Sequence, residues 1–85
     1  MAKSAVKSLN APEYDALLEV VRAAREGAGL SPYAVAQRLG EDPAYVYKVE
    51  ARERRLDVVE FARLSRALGV EPRDLFDRWL AKLGS

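Results

Sequence analysis

The chain has no cysteine and no histidine among its 85 residues. The first absence removes any disulfide framework, thiolate nucleophile or cysteine-held zinc. The second removes the commonest general base and metal ligand. A reducing compartment is permitted, and a cytoplasmic protein is expected. No apolar run approaches the ~20 residues of a membrane span, so no membrane partner is expected. Residues 1–8 carry Lys3 and Lys7 but no apolar core of a signal peptide. Charge of one sign is scarce too: 14 basic and 13 acidic residues leave a net charge of +1, a poor footprint for a polyanion partner. Glycine numbers only five, with no glycine-rich phosphate loop. Ser4, Ser8, Ser31, Ser65 and Ser85 have no evident partner base, and the carboxylates are scattered beside arginines as solvated faces usually are. No catalytic residue, cofactor, metal or small-molecule ligand is expected, and the chain does not read as an enzyme.

What is present is helical punctuation. Asn10 with Glu13 three residues later predicts a capping box opening a first helix, along which Tyr14, Leu17, Leu18, Val21 and Ala24 share a face before Gly27 and Gly29. Asp57 with Glu60 predicts a second capping box, on a helix burying Val58, Phe61, Leu64 and Leu68 and ending at Gly69. A last helix starts near Pro72 and carries Leu75, Phe76, Trp79, Leu80 and Leu83. With two short helices between them, the expected fold is all-α with five helices. Residues 10–85 form one domain near the size at which a single core is marginal, and residues 1–9 a flexible arm.

The two short helices carry the most specific spacing. Ser31 is a good N-cap with Pro32 at the first helical position, where a missing N–H is no loss. Val35, Ala36 and Leu39 recur at helical spacing until Gly40, which supplies a left-handed cap and a sharp turn. Asp42 is expected to cap the next helix with Pro43 just inside it, and Val46 and Val49 fall on one face. The small Ala36 lets the backbones approach. Residues 31–50 therefore read as a helix-turn-helix, whose second helix is shaped for a DNA major groove; the plainer alternative is an α-hairpin in a small bundle.

Gly29-Leu30-Ser31, Val35-Ala36-Gln37-Arg38-Leu39-Gly40 and Tyr45-Val46-Tyr47-Lys48-Val49-Glu50 resemble the lambda-repressor/Cro (Xre-type) family. The likeness continues through Phe61-Ala62-Arg63-Leu64-Ser65-Arg66-Ala67-Leu68-Gly69-Val70 to Asp74-Leu75-Phe76, covering roughly residues 13 to 77. It implies a five-helix lambda-repressor-like domain that regulates transcription as a dimer on double-stranded DNA. It also implies base-reading positions at 43, 44, 47 and 48, where this chain offers Pro43, Ala44, Tyr47 and Lys48. Lys48 is a natural guanine reader and Ala44 fits a thymine methyl. The second helix usually opens with Gln in the family and here has Pro32; its first amides, with the Ser31 and Tyr33 hydroxyls, remain able to hold a phosphate. Arg25 and Glu50 fall next to core positions, and the family commonly joins them, so a pair orienting the recognition helix is expected; two separate solvated side chains are the alternative.

The turn after that helix usually carries Gly where this chain has Arg52, whose strain in a left-handed turn predicts a different loop. Arg52, Arg54 and Arg55 are expected near the DNA, the last two facing phosphates or standing as solvated charges. Trp79, Leu80 and Leu83 extend an apolar stripe beyond what the core needs, which predicts a homodimer interface, with a core plug as the other reading of Trp79. Pro43, Ala44 and the low net charge keep a second function open: a protein-interaction module on the same fold, antitoxin-like, phage accessory or polymerase-binding.

Overall fold

A computed structural model describes residues 11–84; the expected arm at 1–9 and the Asn10 cap lie outside them. Five helices and no strand occur among the described residues: α1 (Pro12–Gly27), α2 (Pro32–Leu39), α3 (Tyr45–Glu50), α4 (Val58–Ala67) and α5 (Pro72–Gly84). The fold is all-α. α1 packs on α5 and α3, α2 on α3 and α4, and α4 on α5, so the two short helices are framed by the three longer ones.

Each element follows from its local chemistry. α1 is entered through Pro12 at its first position, with Ala11, which makes no side-chain bond, as the N-cap. Leu18, Val21 and Ala24 turn inward from α1 as their spacing requires. Ser31 caps α2, its Oγ accepting from the Ala34 amide at 3.1 Å. Gly40 ends α2 with φ of 70°, which lets the Glu41 amide reach back to the Ala36 carbonyl at 3.0 Å. Val35 and Ala36 are completely buried where α2 meets α3.

The start of α3 differs from the expected one. The Asp42 carboxylate accepts from the Ala44 amide at 2.8 Å, and the Asp42 carbonyl accepts from the Tyr45 amide at 2.9 Å. This aspartate builds a turn over 42–45 rather than capping a helix that includes Pro43, and α3 begins only at Tyr45. Tyr45 was not expected in the core, yet it is buried beside Val46 and Val49.

The α4 capping box is formed: Asp57 Oδ1 accepts from the Glu60 amide at 2.7 Å and Glu60 Oε1 from the Asp57 amide at 3.0 Å. Leu64 and Leu68 are buried and Phe61 half-buried, but Val58 is 80% exposed, against expectation. Val59 is exposed as well, so burial on α4 begins only at Glu60 and Phe61. On α5 only Leu75 is fully buried. Trp79 is half-buried against the core and its Nε1–H donates to the Glu13 carbonyl at 2.8 Å, sealing α5 to the first turn of α1.

Candidate nucleic-acid interface

α3 has two faces with different tasks. Val46 and Val49 are completely buried and Tyr45 nearly so, which pins the helix to α2 and the rest of the core. Tyr47 and Lys48 point outward, Tyr47 with 62% of its surface exposed. Pro43 is exposed and Ala44 half-buried in the turn just before α3, so the four base-reading candidates span a turn and a helix rather than one helix. At the start of α2, Ser31 and Tyr33 are exposed. The Ser31 oxygen is engaged by the Ala34 amide, which leaves its O–H free to donate.

Arg25 and Glu50 set the pose of α3 from behind. The Arg25 guanidinium donates through Nε at 2.7 Å and a terminal nitrogen at 2.9 Å to the two Glu50 oxygens, and through its other nitrogen to the Leu30 carbonyl at 2.8 Å. Arg22 adds a longer contact to Glu50 at 3.4 Å. The Glu50 side chain is 4% exposed, so this fork is the solvation it has. Those hydrogen bonds hold the Arg25 guanidinium above its ordinary pKa, against the opposing pull of burial. The pair joins the helix before the motif, the start of α2 and the last residue of α3. No buried side-chain polar atom among the described residues lacks a partner.

The arginines after α3 depart from the expected arrangement. Arg52 adopts φ of 64°, so the chain keeps the left-handed turn that glycine usually occupies, instead of a different loop. Its guanidinium turns back to Asp15 on α1. Arg54 pairs with Glu60 on α4, and its guanidinium lies over the Tyr45 ring, 5.1 Å from the centroid. The Glu60 carboxylate raises the Arg54 pKa above its ordinary value. Burial raises the Tyr45 phenol, with Glu60 adding to that and Arg54 opposing it. Arg55 is exposed beside a hollow lined by Tyr14, Leu17, Leu56 and Trp79, toward α1 and α5. Three neighbouring arginines thus go three ways.

Tyr45, Asp15 and Glu60 were missed as members of this region. A signal existed for Tyr45, which stands four residues before Val49 on one helical face. For Asp15 and Glu60 there was none, since their partners lie 37 and 6 residues away across a turn. On α5, Leu80 and Leu83 are 46% and 38% exposed with Phe76 at 44%, whereas Trp79 is partly buried against the core.

Two helices crossing at Gly40, one face buried and the other presented to solvent, define a helix-turn-helix domain. A family model described as "Helix-turn-helix" matches residues 21–75. The chain is also similar to an XRE-family like protein from Pseudomonas syringae pv. tomato str. DC3000, with 39% identity and a TM-score of 0.81 over 91% of this chain and 94% of that one. A search of curated proteins finds no match. The chain belongs to the Xre-type helix-turn-helix family, a family of DNA-binding regulators whose fold is a regulatory domain and not typically an enzyme. Among the described residues no helix is long and apolar enough to cross a membrane.

Proposed function

We propose that this protein is a cytoplasmic transcriptional regulator that occupies an operator as a dimer, with α3 in the major groove. The observation that carries this reading is the split of α3: Val46 and Val49 wholly buried, Tyr47 and Lys48 exposed. Lys48 reads a guanine edge, Ala44 and Pro43 approach thymine methyls, and Tyr47 reaches a base edge or phosphate. The first amides of α2, with the Ser31 and Tyr33 hydroxyls, hold a phosphate and set the register.

One recognition surface with so few polar groups reads little sequence, which is why the reading includes a second copy. Phe76, Leu80 and Leu83 leave an apolar strip on α5, and Val58 and Val59 extend exposed apolar surface at the start of α4. Two copies joined there present their α3 helices to half-sites about 34 Å apart. Trp79 supports this surface from inside rather than anchoring it.

A second reading rests on a specific observation. Arg52 and Arg54 are both engaged by carboxylates of the same chain, and Pro43 and Ala44 stand where polar readers are usual. This favours a protein-interaction module on the same fold. A salt titration of binding to mixed-sequence duplex DNA separates the two: DNA binding weakens steeply with salt as counterions are released, and a flat or absent response sinks the first reading. Light scattering on the wild type and on a Leu80→Ala, Leu83→Ala variant tests the dimer. A wild type that is monomeric at high concentration removes it.

A further inference from the structure

We propose that Arg52 and Arg54 are positioning residues that clamp α3 at both ends, and not phosphate contacts; the inference rests on the DNA-binding reading only for its functional consequence. Arg54 touches α3 twice. Its backbone amide donates to the Lys48 carbonyl at 3.2 Å, alongside the Glu53 amide at 2.8 Å, and its guanidinium lies over the ring of Tyr45, the first residue of the helix. The same guanidinium is held by Glu60, whose other oxygen accepts from the Asp57 amide in the α4 capping box. One carboxylate therefore fixes the start of α4 and, through Arg54, both the beginning of α3 and the carbonyl of its outward lysine.

Arg52 does the corresponding work at the other end. Its left-handed backbone is one that glycine adopts freely and other L-residues rarely do. An arginine there gives the turn a side chain able to reach Asp15, in a cleft shared with Leu18, Arg22 and Glu50. The strut lies beside the Arg25–Glu50 fork and braces the same junction of α1 and α3. A six-residue helix has little intrinsic stability, so its orientation is set by what grips its ends. With both arginines spent on internal carboxylates, the phosphate contacts of this domain come from elsewhere.

The test uses the full chain and four variants: Arg54→Gln, Glu60→Gln, their double, and Arg52→Gly. Gln at 60 keeps the capping acceptor and removes the charge. Affinity is measured against salt on mixed-sequence duplex and on a duplex that the wild type selects from a randomised pool. The clamp predicts that Arg54→Gln and Glu60→Gln each lower the preference for the selected duplex by about tenfold, and that the double variant loses no more than either single. It also predicts that the slope of log affinity against log salt stays at the wild-type value in every variant. If Arg54 or Arg52 contacts phosphate, its replacement flattens that slope by about 0.9 on both duplexes, which overturns the proposal. If the wild type binds neither duplex, the DNA reading fails, and the clamp is judged on amide resonances of residues 45–50. These shift alike in Arg54→Gln and Glu60→Gln if the clamp sets the pose of α3; unmoved resonances overturn it.

Discussion

Tyr45 and Tyr47 are two residues apart on one short helix and live in different environments. Tyr45 is buried, with an arginine over its ring; Tyr47 is mostly in solvent. The inner face of α3 is decided by the protein itself, through packing density and the need to satisfy Glu50. The outer face is decided by whatever it meets. The difference shows how firmly this short helix is held from within: three core residues, a buried ion pair and two half-exposed ones grip six residues, of which few face outward.

The largest expected effect lies on the inner side. Glu50→Ala strips the Arg25 guanidinium of its carboxylate in a nearly dry site and should lower unfolding free energy by about 3 kcal/mol in urea titrations. For a domain of this size that is a large share of the total. Asp15→Ala, which frees the half-exposed Arg52, should change stability by less than about 1 kcal/mol. Equal losses in the two would erase the distinction between inner and outer ion pairs.

On the outer face, Lys48→Ala should leave urea unfolding unchanged within about 0.5 kcal/mol and weaken binding to a selected duplex by about 1–3 kcal/mol, read by fluorescence anisotropy. If every duplex weakens alike, Lys48 contacts phosphate and not a base edge. Unchanged affinity throughout moves the weight to a protein partner.

The smallest effect is confined to alkaline pH. Tyr45 has a raised pKa in the folded state, so the unfolded chain releases that proton first. The resulting stability is fully present below the unfolded value of about 10 and is lost as pH rises from there through the folded pKa. Tyr45→Phe should therefore fall less steeply than the wild type in denaturation series between pH 9 and about 11.

Much of the fold was legible because its signals are local. Ser31 with Ala34, Gly40 at the turn and Asp57 with Glu60 each act within four residues, where spacing and chemistry suffice. Arg25 and Glu50 were legible for another reason: the resemblance implied their pairing, and two charges beside core positions are costly to leave apart. Val58 misled because periodicity places a residue on a face without saying how far the neighbouring helices extend. Asp42 misled because an aspartate serves a helix cap and a tight turn equally well, and only the surroundings choose. In the candidate interface, the outward residues followed from helical spacing. The directions of Arg52 and Arg54 did not, since a long flexible cation goes to whichever carboxylate the tertiary fold brings near, and Asp15 arrives from the far end of the chain.

The tryptophan bond to the Glu13 carbonyl joins residues 66 positions apart. It is also the only tryptophan in the chain. Tryptophan emission, excited beyond tyrosine absorption, therefore reports a single seam, the closure of the last helix against the first, and is silent on whether the helix-turn-helix between them has formed. A fluorescence transition that coincides with loss of helical circular dichroism would mean that the ring of helices closes and opens as one unit. A fluorescence transition that comes earlier would mean that the ends part while the centre still holds.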